Sequence, residues 1–223
     1  MNESSNETVR QIQAIVYKIL CDVDEYCSRE KLTYYLSGGS CLGAVRHQGF
    51  IPWDDDADIM LPRNDYEKFL REFGKAYVWK YRVGCLETDA KWCRTYARIW
   101  DLNTELIQTK VEDMNMGIFV DVFPIDGLPK NKLSQKIYFT RIKVLNVLRN
   151  AAIRTDFYDY EKYRHLKKIL SYLAKPMGAR YFAEEIDRLG RKHSFENSQY
   201  VAASLAVHYG EKEIIEREYG KGN

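Results

Sequence analysis

Hydrophobic positions in the first thirty residues recur every three or four: Val9, Ile12, Val16, Ile19, Val23 and Tyr26. That spacing is one stripe of an amphipathic helix. Ser4, Ser5 and Asn6 offer N-caps ahead of it, with Ser4 and Glu7 spaced as a capping box. The period then changes. Residues 32–37 read as a strand running into the glycine turn Ser37-Gly38-Gly39-Ser40, then a short helix from Ser40 to about His47 and a loop over Gln48–Trp53. In Asp56-Ala57-Asp58-Ile59-Met60-Leu61 the period is two, so a strand there places Asp56 and Asp58 on one face and Ala57, Ile59 and Leu61 on the other. Pro62 ends that strand. Asn64 or Asp65 can cap a helix carrying Tyr66, Phe69, Leu70 and Phe73, with Gly74 as its stop.

Further strands are predicted near 77–84, 94–101 and 117–123, the last apolar apart from Asp121, as in a central strand buried on both faces. Beyond Leu128 the pattern is helical. Tyr138, Ile142, Leu145, Leu148 and Ala152 form one stripe, with Lys132, Lys136, Lys143 and Arg154 on another face; a second helix over 161–174 repeats the theme with Lys162, Arg164, Lys167 and Lys168. Helices near 181–191 and over Glu211–Tyr219 complete the chain. The fold class expected is α+β, a small mixed sheet flanked by helices with a helical C-terminal part, divided into a core over 1–127 and a basic helical region over 128–223.

Composition narrows this picture. A chain of 223 residues and 26.3 kDa with 13% aromatic residues can bury a core without disulfides or structural metal. Cys21, Cys27, Cys41, Cys85 and Cys93 make an odd number without a C-x-x-C pair, so they read as small buried apolar residues rather than a disulfide framework or a zinc site. The first residues lack a basic region followed by a continuous apolar stretch, and no window is long enough to span a bilayer, so a cytoplasmic location is expected. Net charge is only +2, yet residues 130–180 hold 13 Lys/Arg against 3 Asp/Glu. Such polarity suits a solvated face or peripheral attachment to the anionic inner face of a membrane. No nucleic-acid-binding motif accompanies it, so nucleic acid is not an expected partner.

The chemistry concentrates between Tyr34 and Arg63. Glycines let the backbone turn tightly beside a bound anion, and a helix starting there offers free N–H groups. Two carboxylates on one strand face can chelate a divalent ion. An EF-hand reading of Asp54, Asp56 and Asp58 fails at Ile59, where that loop requires glycine. Asp121, among apolar neighbours, has to be neutral, hydrogen-bonded or bound to a cation.

GGS followed sixteen residues after Ser40 by an apolar-flanked DxD resembles the layout of the polymerase-β-like nucleotidyltransferase superfamily. The run GGSCLGAVRHQGFIPWDDDADIMLPRNDYEKF (38–69) resembles the LicD family, as do Asn103-Thr104-Glu105 and GIFVDVFPIDGLP (117–129). That resemblance implies a nucleotidyltransferase-type fold and metal-dependent transfer of a phospho-alcohol, phosphocholine from CDP-choline above all. The acceptor implied is a hydroxyl of a lipopolysaccharide- or teichoic-acid-type glycan precursor, lipid-linked in one form. It also implies Asp56, Asp58 and Asp121 as catalytic and metal-binding residues, with Mg2+ as the ion and Mn2+ as the alternative. Asp121 is in addition a candidate base for the acceptor hydroxyl. Gly38, Gly39 and Ser40 are expected at the donor diphosphate, Arg46 and His47 near it, and Trp53 on the base or a choline ammonium. Asp54, Asp55 and Asp126 are expected to orient the ligands. A nucleotidyltransferase acting on a nucleoside triphosphate would use the same carboxylates. The family pattern also runs on into a Tyr-Gly and proline-rich stretch that these residues do not include, which leaves an idle glycan- or lipid-binding module as the reading of another class.

Overall fold

The structure, a computed structural model, describes residues 3–106, 116–158, 162–203 and 215–216. Contacts group the chain into two compact units, Met1–Gly84 with Tyr96–Pro124, and Cys85–Thr95 with Ile125–Asn223.

In the first unit the opening stripe forms α1 (Glu3–Glu30), which buries Val16, Ile19, Val23 and Tyr26. Its bounds already include Ser4–Asn6. Strand β1 is short (Tyr35–Leu36) and pairs antiparallel with β2 (Asp58–Pro62), Tyr35 opposite Met60 and Leu36 opposite Ile59. Between them lies α2 (Gly38–His47), which starts at the glycines, two residues earlier than their turn propensity suggests. Asp56 precedes β2 instead of lying within it. The predicted alternation still holds: Ala57, Ile59 and Leu61 are fully buried while Asp58 and Met60 are only partly so.

Helix α3 (Arg63–Ala76) follows directly, entered from Pro62 without a side-chain cap. The side chain of Asp65, expected to cap it, accepts the Thr33 N–H at 3.0 Å. Gly74 sits inside the helix, where a Cβ would lie 3.2 Å from the Val83 side chain. Close packing against a neighbouring strand, not termination, accounts for it. Phe69 and Phe73 stack at 4.7 Å between ring centroids, and Tyr26 meets both edge-on at 5.9 and 5.2 Å, joining α1 to α3.

Strands β3 (Tyr81–Gly84), β4 (Ala97–Asp101) and the long β5 (Phe119–Gly127) complete this sheet in the order β1-β2-β5-β4-β3. The molecule is thus mixed α/β. Register sets the two faces of the centre. Ala97 pairs with Val122 and Ile99 with Val120, and all four are fully buried. Arg98 pairs with Asp121 and Trp100 with Phe119 on the opposite face. The turn after β4 explains Asn103-Thr104-Glu105: Asp101 Oδ1 accepts the Asn103 N–H at 2.7 Å, and Thr104 Oγ1 accepts the Ile118 N–H at 2.8 Å. Gly117 packs so tightly beneath it that a Cβ would lie 2.0 Å from the Asp101 carbonyl oxygen.

The second unit is built on α4 (Lys132–Ile153), α5 (Arg164–Ala174) and α6 (Gly178–Gly190). Asn131 caps α4 by accepting the Ser134 N–H. Tyr138, Phe139 and Ile142 of α4 pack with Leu128, Ile186, Leu189 and Ala202, with Leu145 against them, while Ala151, Ala174 and Phe182 form a second cluster. Strand β6 (Tyr200–Ala202) was not anticipated; it pairs with the end of β5, Asp126 opposite Ala202 and Gly127 opposite Val201. Most of the helix expected over Glu211–Tyr219 lies outside the described residues, and Ile215–Glu216 form a strand, β7, against β6. Arg180 of α6 donates to the Leu86 and Asp89 carbonyls, both at 2.6 Å, tying segment 85–95 to the helix. Of the cysteines, Cys27 and Cys85 are buried as expected, but Cys21 and Cys41 are exposed. Among the described residues no helix is long and apolar enough to cross a membrane.

Candidate active site

A pair of hydrogen bonds clamps the glycine helix onto the acidic strand. The Ser37 N–H donates to the Asp58 carbonyl at 2.9 Å, and the Asp58 N–H donates to Ser40 Oγ at 2.8 Å. Asp58 is held from both sides by the first turn of α2. That turn opens with Gly38 at φ +50°, which a side chain would strain. As in any helix, its leading N–H groups have no partner within the helix itself.

Gly43 has a different role. A Cβ there would lie 2.6 Å from the Gly49 carbonyl and 3.0 Å from the Ile51 nitrogen, so α2 can press against the loop 49–51 only without a side chain. Gln13 of α1 supports the same loop from its other end, its amide donating to the carbonyls of Ile51 at 3.1 Å and Asp54 at 2.7 Å. Carboxylates are thereby held at the loop's end. Oxygens of Asp54, Asp55 and Asp56 lie within 4.8 Å of one another. Asp54 also reaches over Gly39, where a Cβ would meet its Oδ2 at 2.8 Å.

Concentrated carboxylates raise one another's proton affinity. Partial removal from water pushes Asp58 up to about 7, and the nearby charges of Asp121, Asp56 and Asp54 add to this against the opposing pull of Arg98. Desolvation pushes Asp56 up to about 6, with Asp54, Asp55 and Asp121 adding to it. Asp56, Asp58 and Asp121 therefore feel one another's charge, but among the described residues the acids whose oxygens come within 4.8 Å of one another are Asp54, Asp55 and Asp56. A set of hard anionic oxygens strained by mutual repulsion fits a divalent cation such as Mg2+.

Asp121 differs from the other acids. It is buried, its backbone N–H donates to the Ala57 carbonyl at 2.9 Å, and Arg98 grips its side chain with two parallel bonds, Nε to Oδ1 at 2.6 Å and Nη2 to Oδ2 at 2.9 Å. The guanidinium lies 3.4 Å over the ring of Phe119. Both partners are nearly sequestered, with 5% and 10% of their side chains exposed. Its charge is met by a guanidinium across the β4–β5 ladder.

The region that builds this geometry is also the region that has relatives. A family model described as LicD/FKTN/FKRP, nucleotidyltransferase domain, matches residues 31–144, just over half the chain. The chain belongs to the LicD/FKTN/FKRP family. It is 35% identical over 123 residues to a lipopolysaccharide cholinephosphotransferase, LicD, of Haemophilus influenzae, covering 55% of this chain and 46% of that protein. An uncharacterized protein of Rickettsia typhi is 30% identical over 132 residues, covering 58% of this chain and 40% of the relative. The matched stretch therefore spans less than half the length of either relative. No solved structure matches the chain.

Within this LicD-family chain the remaining predicted positions are dispersed. Gly38, Gly39 and Ser40 form the first turn of α2, but the Ser40 hydroxyl oxygen is already an acceptor for the Asp58 N–H. Arg46 and His47, expected near the donor diphosphate, are exposed in the last turn of α2, roughly 12 Å along the axis from Gly38. Trp53 is two-thirds exposed beside Asp54. Asp55 is exposed, and Asp126 is fully buried in the second unit. Sequence reasoning missed Arg98, Gln13 and the forward position of Asp54. Arg98 does carry a signal: an arginine within the strand predicted over 94–101, when the strand predicted over 117–123 holds an acid, Asp121, among apolar neighbours.

Proposed function

We propose that this chain transfers a phospho-alcohol, phosphocholine from CDP-choline, to a hydroxyl of a lipopolysaccharide-type glycan on a nucleotidyltransferase-type sheet. The observation that carries the reading is that Asp54, Asp55 and Asp56 bring oxygens within 4.8 Å of one another while Asp58 is hydrogen-bonded to the first turn of α2, all inside the stretch matched to the LicD family. The name of the Haemophilus influenzae relative supports phosphocholine and lipopolysaccharide as the substrate classes.

In this reading the acceptor oxygen attacks the phosphorus that bears choline, the bond to the CMP phosphate breaks, and CMP departs with the electron pair. A Mg2+ ion held by Asp56, Asp58 and Asp121, with Asp54 adjacent, would neutralise phosphate charge as it shifts to the leaving oxygen. The first-turn N–H groups of α2, at Gly38, Gly39 and Ser40, receive the donor's diphosphate. Arg98 keeps both oxygens of Asp121 oriented and its charge compensated. The hydroxyl proton passes to one of the carboxylates around the ion, Asp121 among the candidates. Trp53 offers an exposed ring face to a trimethylammonium group beside the acids.

The test is CMP release from CDP-choline, CDP-ethanolamine and CDP-ribitol with a lipopolysaccharide acceptor, with and without Mg2+. Metal-dependent CMP release with CDP-choline preferred is the expected result. Pyrophosphate release from CTP instead would make the chain a nucleotidyltransferase. Donor binding with no turnover of any of these would reduce it to a binding module.

A further inference from the structure

Helix α5 is turned the wrong way round for a packing helix. Its inner side carries Leu170, Ser171 and Ala174, while Leu166, Ile169, Tyr172 and Leu173 stand outward with relative exposures of 55%, 57%, 80% and 61%. An amphipathic helix ordinarily buries its apolar stripe, and large exposed apolar groups at spacings of three and four mark a surface that meets something.

Charge identifies what it meets. From Lys162 to Tyr181 the chain holds six Lys/Arg and no Asp or Glu, and Lys162, Lys168 and Lys175 are exposed. A second copy of the same face would bring these cations against each other, which opposes self-association. A bilayer with acidic headgroups presents phosphates to the lysines and acyl chains to the apolar stripe. Tyr163 and Tyr172, both well exposed, are the amphipathic ring type that settles at headgroup depth. The helix is 11 residues long, roughly 16 Å, about half a hydrocarbon core, so it can lie in the interface but not cross it.

We propose that the outward face of α5 docks this protein on an anionic phospholipid bilayer, with Leu166, Ile169 and Leu173 inserted at headgroup level and the flanking lysines on the lipid phosphates. This extends the charge-based expectation for residues 130–180 by assigning the contact to one helix face and requiring apolar insertion as well as attraction.

Flotation of the full chain with vesicles tests it, comparing phosphatidylcholine alone with phosphatidylcholine containing roughly a third phosphatidylglycerol. The wild-type chain is expected to float with the anionic vesicles at about 0.1 M salt and to stay behind with the neutral ones. Lys162→Gln/Lys168→Gln/Lys175→Gln should weaken binding on the order of a hundredfold. Leu166→Gln/Ile169→Gln/Leu173→Gln, at unchanged charge, should weaken it at least ~10-fold, with unaltered thermal melting. Should the triple apolar variant melt differently, Tyr172→Gln, at the most exposed position and again at unchanged charge, provides the same reading with one change. Undiminished flotation of the folded apolar variants, no binding of the wild type to anionic vesicles, or a dimer in light scattering that the apolar variant dissociates would each overturn the proposal.

Discussion

Replacing Arg98 by Met deletes the guanidinium while leaving an unbranched side chain over Phe119. Asp121 is then left in a site where only 10% of its side chain meets solvent, and both its oxygens lose their donors, at 2.6 and 2.9 Å. Breaking a buried ion pair from one side costs ~3–5 kcal/mol, because the remaining charge is left uncompensated. The lower end is expected here, since Arg98 Nη1 has no hydrogen-bond partner to lose among the described residues. Asp121→Asn strands Arg98 in turn. The double variant Arg98→Met/Asp121→Asn removes both charges and should recover at least ~2 kcal/mol of the summed single losses. Urea unfolding monitored by circular dichroism is the assay; at a slope of ~2–3 kcal/mol/M, a 3 kcal/mol loss moves the midpoint by about 1–1.5 M. A cost below ~1 kcal/mol for Arg98→Met, or single losses that simply add in the double variant, would refute the view that this pair is a compensated charge.

The remaining predictions concern the acids and the glycines. Folding raises Asp58 from 3.8 to about 7 and Asp56 from 3.8 to about 6 in the metal-free state; the contribution of these two groups to stability is fully present below about pH 4 and is lost as pH rises through 6 and 7. Asp58→Asn should remove the Asp58 share of that decline and add ~1–2 kcal/mol at pH 8 after allowance for solvent screening; a variant-minus-wild-type stability difference that shrinks from pH 4 to 8 would contradict the sign. Mg2+ should raise the melting temperature of the wild-type chain at pH 8 but not that of Asp56→Asn or Asp58→Asn, and CMP release should be lost in both; a variant that keeps either response is not a ligand. Gly43→Ala drives a Cβ into backbone at 2.6 Å and should cost ~1–3 kcal/mol, whereas Gly39→Ala meets only the movable Asp54 carboxylate and should lower Mg2+ affinity at little cost in stability, as calorimetry and melting can distinguish.

Where structure was legible in the sequence, a local period made it so. The alternation Ala57, Ile59, Leu61 against Asp58 and Met60 is a property of the extended chain itself, and the same is true of the stripe that buries Val16, Ile19 and Val23. What was not legible depends on distant partners. Arg98 faces Asp121 only because β4 and β5 adopt one register of several, and β6 finds β5 across more than seventy residues of chain. A stripe on α5 shows that the helix has an apolar face but not which way that face turns. Local preference also yielded to packing: Gly38 and Gly39 begin a helix, Gly74 sits within one, and Gly43, unremarkable in sequence, is where α2 most closely approaches the loop beneath it.

The two bonds joining Ser37 and Ser40 to the backbone of Asp58 have a thermodynamic corollary. An anion seated on the first turn of α2 and a cation seated on the carboxylates are gripped by the same few atoms, so neither can bind without adjusting the other's cradle. Their affinities are then linked reciprocally: whatever factor the cation contributes to anion binding, the anion must return to cation binding. Ser40→Ala removes the hydroxyl oxygen from the Asp58 N–H while deleting no metal-binding oxygen. Its signature is a shrunken coupling between two titrations, each of which still occurs by itself.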